Sequence, residues 1–317
     1  MEAYIAALVS CFCSGAFYLI DMIMKKDTFT RASQPMFISS ASGLIPALLL
    51  FIGCAVYGIP SPSVLAIAVA FGSGVLLTLG GWIYFKIIYS NVGECTEVSA
   101  FETSSVIAIS LITFMLHAFG VRLYEVIQLS QWFGVILTAL ALVLVHMWGD
   151  HIKLVDMKHR LMLILFTVLA AVDEMSIDWV LNLTSGQFDS QQIAFIAISP
   201  YHWMGVVAGV FVLISKKERS EFRQNFKVIL RHWRLIVVAE LIAAFAFTAK
   251  VYGFATGHVA VIAVMAGGFP IVVFFGGILL RRKFGFSEEL FPVVKHPWKK
   301  GIAILIVILG ITLAAWT

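Results

Sequence analysis

Ten ionisable side chains stand in stretches of sequence that are otherwise almost wholly apolar: the acids Asp21, Glu94, Glu97, Glu102, Asp173, Glu174, Asp178 and Glu240, and the lysines Lys86 and Lys250. A charge in hydrocarbon is costly unless it is paired or wetted, so residues of this kind mark routes for ions, protons or polar solutes. Glu174 and Asp178 are four apart and share a helical face, whereas the neighbours Asp173 and Glu174 point about 100° apart around the axis. Carboxylates on one face repel each other. That is how a proton-carrying site is made, and the excess of acids over lysines favours protons or cations over anions.

Each residue also has a plainer reading. Asp21 precedes Lys25 by four residues and suits an interfacial ion pair. Glu94 and Glu97 fall in a first helical turn, where unpaired amides favour carboxylates. Lys86 can snorkel to the interface or pair with Glu94 or Glu97, and Lys250 can snorkel to the opposite face. Glu240 is either a free deep acid or the counter-ion of Lys250 or of a histidine. Glu102 and the cluster Asp173, Glu174 and Asp178 resist such explanations, because they sit roughly 12 Å and roughly 20 Å along their segments at 1.5 Å per residue. Among aromatic residues near these groups, Trp82, Phe101 and Trp179 are the candidates for a substrate-contacting lining.

The elements that position these groups follow from composition. With 61% hydrophobic and 13% charged residues and a mean hydropathy of +0.97, the chain cannot present the polar surface of a water-soluble globule. Apolar runs of membrane-crossing length fall at roughly 3 to 24, 36 to 57, 64 to 89, 95 to 118, 128 to 148, 160 to 182, 193 to 215, 233 to 254, 257 to 281 and 299 to 316. The expectation is an all-α, multi-pass membrane protein with ten transmembrane helices. The first segment lacks a basic n-region and a cleavage site, so it is expected to stay as a helix. Cys11, Cys13, Cys54 and Cys95 have no ligand spacing and read as small hydrophobes, so no metal or cofactor is expected.

The second half echoes the first. Adding 164 places Lys86 on Lys250, Gly93 on Gly257 and Val98 on Ile262; Asp21 matches Asp178 at an offset of 157 and Gly134 matches Gly301 at 167. Residues 1 to 149 and 150 to 317 thus read as two five-helix repeats, and an odd number of spans inserts them in opposite senses. Nineteen of the 22 lysines and arginines fall in loops on one side and Arg122 alone on the other. That imbalance places the charged loops in the cytoplasm and both termini outside the cell membrane. Near the middle of the ninth segment, Ala266-Gly267-Gly268-Phe269-Pro270 reads either as tight helix packing or as a broken-helix site.

Phe85-Lys86 followed by Gly93-Glu94-Cys95-Thr96, and Phe269-Pro270 with the apolar span after it, resemble the motifs of the drug/metabolite transporter superfamily, in particular its EamA-like members. Val106 stands where that pattern usually has proline, and Ile87-Ile88 where it usually has alanine-leucine. The resemblance implies ten helices in two inverted five-helix repeats. It also implies a central cavity lined by helices 1, 3, 4, 6, 8 and 9, with the fifth and tenth peripheral.

Together these readings predict a secondary transporter, not an enzyme, that moves a small polar or cationic metabolite by alternating access with proton coupling. Its expected partners are that small molecule, protons and the lipid bilayer; nucleic acid is excluded, and a homodimer stays open. A flippase for lipid or polyprenyl phosphate on the same fold is the alternative, drawing on Lys86 and Lys250. A membrane-embedded enzyme acting on a lipid-linked substrate is disfavoured by the missing metal and serine-histidine motifs.

Overall fold

The computed structural model describes residues 2–27, 29, 33–89, 129–147, 157–184, 186–213, 215–257, 259–284 and 297–315, with six isolated positions between 105 and 119. Among them there is no strand. The helices are α1 (Glu2–Asp27), α2 (Ser33–Ser42), α3 (Leu44–Val56), α4 (Val64–Tyr89), α5 (Leu129–Met147), α6 (Met157–Thr184), α7 (Gln191–Leu213), α8 (Lys216–Arg231), α9 (Trp233–Thr256), α10 (Val259–Ala266), α11 (Phe269–Phe284) and α12 (Pro297–Ala315). Among the described residues, six stretches are long and apolar enough to cross a membrane: Glu2–Met24, Gln34–Val56, Val64–Ile87, Gln191–Phe211, Trp233–Thr256 and Val261–Lys283. Their outer faces carry Phe12, Leu49 and Leu241, each more than half exposed, as hydrocarbon allows and water does not. Of the expected segment at 95 to 118 only positions 105, 108, 109, 112 and 115 are described; Glu97, Phe101 and Glu102 lie outside the described residues.

Two of the expected spans are interrupted, and proline explains both. A proline ring clashes with the carbonyl four residues upstream and cannot donate to it. Pro46 therefore ends α2 at Ser42, and Pro270 ends α10 at Ala266. Pro200 lies inside the unbroken α7, where the carbonyl it frees, that of Ile196, accepts instead from the Cys54 thiol at 3.6 Å. At the far end of α3, Gly58 adopts φ +64°, and Ile59 N–H donates to Cys54 O at 2.9 Å, a Schellman-type stop.

Packing sorts the helices into two bodies that do not follow the halves of the sequence. In the first, α4 lies against both α6 and α7, α3 lies against α7, and α2 touches α4 and α7. In the second, α1 runs along α9 and also packs on α10 and α11. Helices α5 and α12 pair with each other and meet the rest chiefly through α10. Small residues make the closest approaches, as is usual where lipid gives helices no hydrophobic reason to associate. A Cβ on Gly205 would stand 2.0 Å from the Phe71 carbonyl, and one on Gly74 would stand 2.0 Å from the His202 carbonyl. Beside them the Thr78 hydroxyl lies 2.9 Å from Val206 O, tying α4 to α7 a second time.

These contacts make a direct prediction. Gly205→Ala forces backbone against backbone and lowers stability by about 2 kcal/mol or more, whereas Gly53→Ala, with nothing within 4 Å of its added Cβ, leaves it unchanged. Thermal melting of the solubilised protein separates the two; equal melting temperatures for the variants would refute the account.

Candidate functional site

Between the two bodies lies a cavity of about 540 Å³, a size suited to a small metabolite. Its walls come from α1, α2, α3, α4, α6, α7, α8 and α9 and are mostly apolar and aromatic. Asp173 and Glu174 of α6 and Glu240 and Lys250 of α9 stand in this apolar surround, with Ser39, Ser40 and Ser42 beside the α2 break.

Each charged group has a defined partner. Lys250 Nζ donates to Glu174 Oε1 in an ion pair across the cavity, while Glu174 Oε2 is buried without a hydrogen bond among the described residues. Ser42 Oγ lies 2.7 Å from Glu240 Oε2 and also 2.7 Å from the Ser39 carbonyl. A hydroxyl has one proton to give. Ser42 can therefore donate to only one of these acceptors at a time, and both contacts are satisfied together when Glu240 carries a proton and donates to Ser42.

The same logic governs Asp173. Ser73 of α4 hydrogen-bonds Asp173 Oδ1, and its Oγ is also 3.2 Å from His202 Nδ1 of α7. With Asp173 ionised, Ser73 donates to it and accepts from Nδ1–H; with Asp173 protonated, the chain can reverse and His202 takes the other tautomer. The imidazole is buried, stacks on Phe247 at 4.6 Å, and its Nε2 has no hydrogen-bond partner among the described residues. A third acid, Asp21 of α1, is also buried and lies 3.4 Å from the Tyr84 hydroxyl of α4.

The expectations divide accordingly. Asp173, Glu174, Glu240 and Lys250 meet in one cavity. Asp173 and Glu174 both reach it although they point apart around α6, because the cavity wraps that face of the helix; Asp178, expected to share it with Glu174, stands outside the lining and accepts from Asn182 Nδ2 at 3.2 Å. Trp179 and Trp82 are likewise outside the lining, and Lys86 places its Nζ 3.2 Å from the Trp82 ring centroid, a cation–π contact. Lys250 is paired with Glu174 in the cavity. Glu97, Phe101 and Glu102 lie outside the described residues.

Sequence reasoning passed over Ser42 and Ser73, saw in Tyr84 only an aromatic ring, and assigned Asp21 to the interface. The available signal was Pro46, whose forced break places Ser42 beside the cavity.

No known family model matches the chain, and no curated protein matches it in sequence. Solved structures do resemble it in shape. One, described only as "Crystal structure of protein", superposes with a TM-score of 0.61 over 97% of this chain and 96% of its own, at 13% identity. At that identity the likeness is one of fold.

The ion pair is directly testable. Removing one partner strands a charge in a poorly solvated site, so Glu174→Gln and Lys250→Met should each cost about 3 kcal/mol, while the double variant should cost clearly less than their sum. Additive losses in melting experiments would show that the two groups do not interact.

Proposed function

We propose that the chain is a proton-coupled secondary transporter for a small polar or cationic metabolite, similar to the EamA-like transporters, working by alternating access. The single observation that carries this reading is where the polar contacts run. Lys250 to Glu174, Ser42 to Glu240 and Tyr84 to Asp21 all bridge the two helical bodies across the cavity region, and each ends on a carboxylate. A proton or a cationic solute that neutralises such a carboxylate weakens a link between the bodies, which is the coupling a transporter needs.

Helix pairing supports ten spans in two inverted repeats. Exchange of the halves maps the first span onto the sixth and the third onto the eighth. The pair α1 with α9 then becomes the pair α6 with α4, and α5 with α12 becomes itself. Because the bodies mix elements of both halves, the moving parts are these bodies and not the sequence repeats themselves. The excess of lysine and arginine in the loops of one side supports a cytoplasmic position for those loops and an external one for both termini. The flippase alternative asks for free basic groups around a phosphate. Of the two lysines it would use, Lys250 is engaged by Glu174 and Lys86 is outside the cavity lining.

The test is proton movement in proteoliposomes holding a trapped pH-sensitive dye, challenged with cationic, neutral and anionic metabolites. The parent protein should show substrate-driven flux with cationic or neutral polar compounds, and Glu174→Gln should abolish it. Silence with every compound, in a sample whose melting confirms a folded protein, would remove the proton-coupled reading.

A further inference from the structure

We infer that α8 is a membrane-surface helix whose exposed face docks on an anionic lipid leaflet. Its place follows from connectivity. The crossing stretches Gln191–Phe211 and Trp233–Thr256 flank it, and only Ile214 and Ser215 on one side and His232 on the other separate α8 from helices α7 and α9. A helix of 16 residues is about 24 Å long. With both ends held at one membrane face, it must run along that face. Its start is fixed by a capping box in which Ser215 accepts from Glu218 N–H at 3.3 Å and Ser215 N–H donates to Glu218 Oε2 at 2.8 Å.

The faces of α8 say what lies against it. At about 100° per residue, Phe222, Phe226, Ile229 and Leu230 fall on one arc, with Arg219 between Phe226 and Leu230, and Arg223, Lys216, Lys227 and Arg231 occupy the arc beside it. One edge of the apolar arc faces the protein: Ile229 is buried, and Phe222 lies 4.4 Å from Phe37 between ring centroids. The other edge does not, since Phe226 is 45% and Leu230 51% exposed. Across 216 to 234 seven basic side chains meet two acidic ones. An apolar edge bordered by basic residues matches the boundary of a leaflet, with acyl chains for Phe226 and Leu230 and phosphates for the basic heads, whose aliphatic stems lie along the apolar arc. A zwitterionic leaflet satisfies the first half of that match; an anionic one satisfies both.

The contact reaches the cavity. The Phe222 ring lies tilted against Phe226 with centroids 5.8 Å apart and also lines the cavity, so one row of rings joins the lipid-facing edge to the cavity wall. None of this depends on what the cavity carries.

The test uses the full chain with native cysteines replaced by alanine and a nitroxide attached at Phe226→Cys or, on the opposite side of the helix, Gln224→Cys. The protein is reconstituted in phosphatidylcholine vesicles with or without phosphatidylglycerol. The label at 226 should be open to oxygen and shielded from a water-soluble nickel chelate, with the reverse at 224. Phosphatidylglycerol should raise the oxygen-to-nickel accessibility ratio at 226 by roughly twofold or more. The triple variant Arg223→Gln, Lys227→Gln, Arg231→Gln should lose that rise while melting like the parent. Nickel access at 226 in both vesicle types would mean a water-facing helix. Shielding from both reagents would mean a protein partner, and equal ratios with and without anionic lipid would mean a surface indifferent to charge. Any of these overturns the inference.

Discussion

Hydrocarbon supplies no hydrogen bonds, so a crossing chain must satisfy its own backbone or leave the breaks where protein can answer them. Three prolines show this constraint at work. Pro200 frees a carbonyl inside α7, and the Cys54 thiol of α3 meets it. Pro270 ends α10 within a stretch, Val261 to Pro270, that is buried throughout. Pro46 ends α2 at Ser42, whose hydroxyl is then shared between the Ser39 carbonyl and Glu240. The last break does more than avoid a cost, because it brings a hydroxyl to a carboxylate at the cavity edge.

The charged groups obey a parallel economy. A lone carboxylate in such surroundings is unfavourable, and a fully neutralised pair is inert. The arrangement here lies between those limits: Lys250 engages one oxygen of Glu174 and leaves the other without a partner among the described residues. Asp173 and Glu240 lean on hydroxyls, which give or take a proton according to the acid they face. Within the first body, glycine contacts and the Thr78 hydroxyl hold α4 to α7, and Ser73 of α4 adds hydrogen-bond contacts to Asp173 of α6 and His202 of α7. The polar contacts traced between the bodies all end on carboxylates.

Much of this was legible before the structure. The lengths of the apolar runs reproduce the helices of α1, α4, α6, α7 and α9 to within a few residues, since a span must cover the hydrocarbon whatever its neighbours are. Asp173 and Glu174 of α6 and Glu240 and Lys250 of α9 were recognisable as costly residues, and they do gather in one cavity. What could not be read is partnership. Helical spacing ties Asp178 to Glu174, yet the cavity takes Asp173 in its place, because the walls come from helices far away in sequence. Asp21 next to Lys25 looks interfacial in a linear text; that Tyr84 approaches it depends on how α1 meets α4 in space.

The interleaving of the two bodies also bears on how the protein is made. The first body takes α2, α3 and α4 from early in the chain but needs α6 and α7, and the second pairs α1 with α9, which begins about two hundred residues later. Neither can close while the chain is still emerging in order. Early helices must wait in the lipid with their small-residue faces open, Gly74 among them, until the partners that fit those faces have been inserted. Assembly of this fold is therefore a late event of biosynthesis, and the two halves depend on each other for structure.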